Sequence, residues 1–280
     1  MENENQNQNQ NQNDVNENQP NDVVNENQPR GLVIPPLGFV NTGAICYFNA
    51  LIQSLLSSPH FLRFVLSQET QPPSIFILFF SFIVNEKKWD PFFTSKLLHV
   101  MGDFAPNQSS SEYFLKLCEY AKLDDLFKTK TETTTTCKEC GKESKVMDIS
   151  TYFVIDNDLS EFCETTREAD GFNCDQCKKK VTVKIVSQLR EPSAVMVISF
   201  NKYFEKKNIP YPSGFDIGTF KYKLISTIEH IGVLQGGHYY CRTIRNNQLL
   251  KIDDNSISPI GGLESTENTY MAFYECIKSL

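Results

Sequence analysis

The chain has 280 residues, 40% hydrophobic and 22% charged, with a formal net charge of −7. That length holds one large or two small domains with a real core, and the acidic balance argues against nucleic acid as a partner. The first thirty residues lack the apolar core of a secretory signal, and the longest apolar run, 75–84, falls short of the roughly 20 residues that cross a bilayer, so no membrane partner is expected.

Nine cysteines without such a signal suit a reducing compartment, cytosol or nucleus, better than a disulfide framework. Residues 1–30 are nearly all Asn, Gln, Glu and Asp, with a near-repeat at 13–20 and 21–29. A tract so poor in apolar side chains cannot offset its ordering entropy and is expected to be disordered, leaving 31–280 to fold.

The stretch from Gly38 to Gln53 reads as a loop feeding a helix, with Cys46 at the junction. Phe48, Leu51, Ile52, Leu55 and Leu56 fall at helical spacing, which predicts one face turned to a core. Gly43 permits a sharp turn before the thiol. A free cysteine is most often a core residue. Here the polar, glycine-containing loop and a suitable histidine far downstream favour a nucleophile. The positive end of the helix dipole would favour its thiolate. Asn41 offers an amide donor that, with the Cys46 N–H, can hold the oxyanion of a tetrahedral acyl intermediate.

Beyond Ser57-Ser58-Pro59 the sequence predicts a polar loop through Pro72 and Pro73. Helices follow around Phe76–Ile83, around Leu97–Met101, and from about residue 111, with Ser109, Ser110 or Ser111 as the cap. From the threonine run at 131–136 the composition turns to β. Cys137-x-x-Cys140 and Cys174-x-x-Cys177 are two knuckles that can complete a closed tetrahedral Zn²⁺ site from two hairpin tips, a structural metal with no open position for chemistry. Further strands are expected at 150–155, 180–186, 194–200 and 222–232.

Of four histidines, His60 and His99 sit in helical contexts and His230 within a strand, where packing is the better reading. His238 follows two glycines at a loop-to-strand junction, where backbone can approach a nucleophile closely, and is the best general base. Strand 239–244 turns at Asn246-Asn247 and returns through 249–255, bringing Asp253 back to orient the imidazole. A last strand spans 269–275.

The loop Gly38, Asn41, Gly43, Cys46, Tyr47, Asn49, Gln53 stands in register with the cysteine box of the ubiquitin-specific proteases, which it resembles with Phe39 for the usual Leu and Ile45 for the usual Thr. Gly237-His238-Tyr239 with Ile252-Asp253-Asp254 resembles the histidine box, and 269–275 the closing strand. The resemblance covers about 37–277. It implies a papain-like α+β fold: a helical thumb (about 37–128), β fingers bearing zinc on Cys137, Cys140, Cys174 and Cys177 (about 129–190), and a β palm (about 191–280). It also implies a thiol protease cleaving after the C-terminal glycine of ubiquitin, with Cys46 as nucleophile, His238 as base, Asp253 orienting it, Asp254 in support and no catalytic cofactor. The partners implied are ubiquitin and ubiquitinated proteins.

Two positions depart from the pattern. Ser109 stands where the family has an aspartate that meets the ubiquitin tail, in the segment Asn107-Gln108-Ser109 with Glu112 retained. Asn201-Lys202 replaces Lys-Arg. These departures keep open a non-catalytic ubiquitin-binding scaffold, or an isopeptidase for another ubiquitin-like modifier.

Overall fold

The computed structural model describes residues 34–68, 74–102, 109–156, 164–201, 207–233 and 236–279. The Asn/Gln-rich stretch 1–30, Asn107, Gln108, Lys202 and the Pro72-Pro73 segment lie outside them.

The thiol-bearing helix α1 (Cys46–Leu55) is buried on every side, Asn49, Gln53 and Ser54 included. The one-sided face expected from its apolar spacing is therefore too narrow a description. Where a polar loop was predicted, a second helix α2 (Pro59–Ser67) begins at once, capped by the Ser58 hydroxyl with Pro59 in its first turn. Proline starts a helix readily because the missing N–H would have had no partner there. Helices α3 (Ile75–Glu86), α4 (Pro91–Val100) and α5 (Ser110–Ala121) follow, capped by Ser74, Asp90 and Ser109, with a short α6 (Asp124–Phe127).

An aromatic cluster holds the helical lobe together. Phe80 packs edge-on to Phe61 at 4.8 Å and to Phe79 at 5.0 Å, and Phe48 meets Tyr113 at 5.7 Å. Phe80 is 0% exposed. Phe80→Ala is expected to cost about 3–5 kcal/mol of stability, transfer and cavity terms together, measured as a shift in the urea midpoint.

The β part divides into two sheets. In the fingers, β1 (Thr129–Cys137), β2 (Glu143–Ser150), β4 (Glu164–Cys174) and β5 (Lys179–Glu191) form an antiparallel sheet in the order β2-β1-β5-β4. The palm contains β3 (Phe153–Ile155), β6 (Val195–Phe200), β8 (Phe220–Val233), β9 (Gly236–Arg245), β10 (Gln248–Asp253), β11 (Ser256–Pro259) and β12 (Thr269–Ser279) in the order β11-β10-β9-β8-β12-β6-β3, with β7 (Gly214–Ile217) beside β8.

The predicted strand 150–155 is in fact two. The chain leaves the fingers at Ser150, bends, and Phe153–Ile155 joins β6 in the palm, in parallel. Strand β6 is buried along its whole length, Val195 and Val197 facing the helical core while Met196, Ile198 and Phe200 face a second core. This division is what an unbroken apolar strand implies. Helix α1 lies on the palm sheet against β8, β9 and β10, which sets the thiol beside the strands that carry the histidine and the aspartates.

Candidate active site

Cys46 is the first residue of α1 and only 7% exposed. The loop before it is folded by Asn41, whose Oδ1 accepts from the Gly43 N–H (3.2 Å) and the Ile45 N–H (3.1 Å). Gly43 at φ 146° and Ala44 at φ 52° make the sharp entry into the helix. The same loop is seated on the turn after β10. The Phe39 N–H donates to the Asp254 carbonyl at 2.9 Å. A Cβ on Gly38 would lie 2.6–2.8 Å from the Asn255 backbone, so only glycine permits this approach.

His238 is the third residue of β9, inside the strand rather than at its mouth. The type of hairpin expected from the sequence is present: Asn246 and Asn247 both take positive φ, and β10 runs back along β9 with Ile252 opposite Cys241. This register carries Asp253 to the imidazole, Oδ1 lying 2.5 Å from Nε2. Burial alone would raise the Asp253 carboxyl, but its contacts with His238 and with Lys251 outweigh that and hold it below the usual carboxylate range. Gly237 has its own reason to be glycine, because a Cβ there would strike the ring of His230. That ring packs on Tyr239 at 4.4 Å, a structural role.

Asp254, at φ 51°, ties the two halves of the site together. Its Oδ2 accepts from Asn41 Nδ2 (3.1 Å) and its Oδ1 from Asn49 Nδ2 (2.8 Å). Asn49 was quoted from sequence only as a motif match, yet it is 1% exposed and clamps Asp254. A polar residue within a largely apolar helix was the available signal. Gln53, one turn on, donates to the Leu37 carbonyl and accepts from Arg245, itself 4% exposed beneath the helix.

The thiol is not activated in the way its helix position suggested. Burial pushes the Cys46 thiol up and the Asp254 carboxylate adds to this, outweighing the N–H groups of Tyr239 and Tyr47. Among the described residues His238 is joined to Asp253, and no hydrogen bond joins it to the Cys46 sulfur.

At the fingers' far end the four sulfurs of Cys137, Cys140, Cys174 and Cys177 all lie within 4.8 Å of one another. The two cross pairs, Cys137–Cys177 at 3.8 Å and Cys140–Cys174 at 3.7 Å, match the edge of about 3.8 Å expected for a tetrahedron of thiolates around Zn²⁺ at about 2.3 Å. The donor set therefore fits a closed structural metal site.

The two departures from the sequence pattern are also placed. The Ser109 hydroxyl caps α5 and meets the Tyr270 hydroxyl at 2.7 Å, with Glu112 in the first turn. Asn201 donates to Asp156 at 2.7 Å.

A family model described as "Ubiquitin carboxyl-terminal hydrolase" matches residues 107–274, more than half of the chain. The chain belongs to the ubiquitin carboxyl-terminal hydrolase family. The match contains all four finger cysteines, His238 and both aspartates, and begins downstream of Cys46.

Among curated relatives, a probable ubiquitin carboxyl-terminal hydrolase 8 of Schizosaccharomyces pombe is 24% identical over 85% of this chain and 64% of its own length. A ubiquitin carboxyl-terminal hydrolase 26 of Oryza sativa subsp. japonica is 24% identical over 81% of this chain and 26% of its own length. The chain thus spans less than two thirds of these relatives. In solved structures the fold matches the Ubp8 DUB module of SAGA bound to monoubiquitin, with TM-score 0.72, 17% identity, and coverage of 92% of this chain and 73% of that one. The papain-like hydrolase fold of this family, with a cysteine-bearing finger sheet, is therefore the fold of this chain. No helix among the described residues is long and apolar enough to cross a membrane.

Proposed function

We propose that this chain is a cysteine isopeptidase that hydrolyses the bond after the C-terminal glycine of ubiquitin. The observation that carries the reading is the join between its two boxes: a His238–Asp253 pair at 2.5 Å, and an adjacent aspartate that grips Asn41 and Asn49 on either side of Cys46. Family membership supports ubiquitin as the partner, and the matched Ubp8 module is itself bound to monoubiquitin.

In this mechanism His238 takes the Cys46 proton, and the thiolate attacks the carbonyl carbon of the terminal glycine. With Nε2 committed to Asp253, Nδ1 is the nitrogen left to face the thiol. The Cys46 N–H and the second hydrogen of Asn41 Nδ2 hold the oxyanion. The imidazolium then protonates the leaving lysine amine, and water activated by His238 hydrolyses the thioester. Because burial disfavours the free thiolate, proton transfer is coupled to a substrate-bound geometry in which sulfur and imidazole meet.

Zn²⁺ held by Cys137, Cys140, Cys174 and Cys177 would tie the two finger hairpins together and take no part in the chemistry. A reducing compartment, cytosol or nucleus, suits a chain whose described cysteines are all free thiols.

The test is reaction with ubiquitin carrying an electrophilic C-terminus, read by intact mass and peptide mapping. One adduct per chain on Cys46 is expected; absence of an adduct from the folded, zinc-loaded protein overturns the reading. Ser109 places a hydroxyl where relatives of this type carry a tail-binding carboxylate, so probes built on other modifiers belong in the same series. Asp253→Asn is expected to lower kcat roughly 10²- to 10⁴-fold with little change in KM, since it removes the group that sets the tautomer and stabilises the imidazolium.

A further inference from the structure

The carboxylate of Asp253 has two partners. While Oδ1 meets His238, Oδ2 lies 2.9 Å from the ammonium of Lys251. Lys251 stands two residues before Asp253 on β10, so strand alternation puts both side chains on one face. Its Nζ also sits 4.2 Å from the ring centroid of Tyr240 on β9. The lysine is 34% exposed and the aspartate 28%. An ammonium held between an aromatic face and a carboxylate is a fixed charge, not a freely moving surface lysine.

We propose that Lys251 is a positioning residue that tunes the basicity of His238: by occupying Oδ2 it aims Oδ1 at the imidazole, and its charge weakens the carboxylate's hold on the imidazolium. The inference rests on His238 being the general base. A carboxylate with no counter-charge favours the protonated imidazole. A base held too firmly in that form cannot accept the thiol proton, a serious handicap where burial already resists ionisation of Cys46.

The surrounding charges make Lys251 the deciding one. Asp254, from the turn after β10, is held by two neutral amides and forms no ion pair among the described residues. Glu229 on β8 is fully buried and answered by Arg242 on β9, at 3.4 Å. Tyr240 on β9 feels Asp253, Glu229 and Arg242, while Cys46 on α1 feels Asp254. Without Lys251, the carboxylates of Asp253 and Asp254 would both face the imidazole with no cation on either.

The test compares wild type, Lys251→Met and Lys251→Arg as the full zinc-loaded chain. The ring C–H of His238 is titrated by NMR, a readout that needs no turnover, beside the pH profile of kcat/KM on a ubiquitin C-terminal amide. Lys251→Met is expected to move the His238 titration and the acid limb of the profile to higher pH by roughly half a unit or more, and Lys251→Arg to restore both. An unmoved or downward-shifted titration overturns the proposal, including when stability falls at the same time. If wild type fails to hydrolyse ubiquitin while the titration shifts as expected, the proposal holds and the assigned activity fails.

Discussion

Replacing Cys46 by Ala is expected to lower hydrolysis of a fluorogenic ubiquitin amide by roughly 10⁴-fold or more, the scale on which loss of a nucleophile usually reads. The sulfur is nearly buried at the start of α1, so its loss would remove the proposed attacking atom while leaving the exposed surface of the chain in place. Binding of ubiquitin, measured by calorimetry, is accordingly expected to change less than about tenfold, because truncating one small side chain removes little interface. A variant that retained wild-type turnover would exclude Cys46 as nucleophile. One that lost binding and turnover together, with an unchanged unfolding midpoint, would show that the loop recognises the substrate as well as attacking it.

Loss of the proposed zinc is the second large expected effect. Among the described residues the hydrophobic centre at the far end of the fingers consists of Cys137, Cys174, Val181 and Val183, with only partly buried neighbours around it. Strand β2 is exposed along nearly all its length. A sheet with so small a core depends on a cross-link. Structural zinc supplies an apparent binding free energy of about 10–16 kcal/mol in small zinc modules, far more than four buried side chains provide. Cys174→Ser is therefore expected to drop bound zinc from about one per chain towards none and to open the chain to proteolysis between Cys137 and Cys177. The helical lobe and palm, packed in cores of their own, are expected to keep their fold. One zinc retained in the variant would overturn the Cys₄ assignment.

Some of this could be read directly along the chain because the signals are local. Spacing alone places the two sulfurs of each knuckle at one tight turn, while the pairing of β1 and β4 with β5 brings the two knuckles together. The Asn246-Asn247 turn fixes a hairpin length, and hairpin length fixes which residue returns to His238. The helix after Cys46 follows from apolar periodicity, and the cap of α5 from the serine run at 109–111, of which Ser109 is the one used. Helix α2 was missed because its start signal, Ser58 then Pro59, was read as the end of the preceding helix; serine and proline mark both.

What the sequence determined by itself was the inventory: a thiol at a helix start, a histidine and aspartate joined by a hairpin, and a metal-ready cysteine set. Tertiary structure alone decided how they work. Burial raises the Cys46 thiol where its helix position would lower it, because desolvation is set by what packs around α1 and no local pattern encodes that. The double grip of Asp254 on Asn41 and Asn49 joins residues 213 and 205 positions apart in the chain. Lys251 and Asp253 share one face of β10 by strand alternation, but only the pairing of β10 with β9 sets the Tyr240 ring beside that ammonium and the His238 imidazole beside that carboxylate. Contacts of that kind depend on how whole elements dock, so they become legible only when the chain is folded.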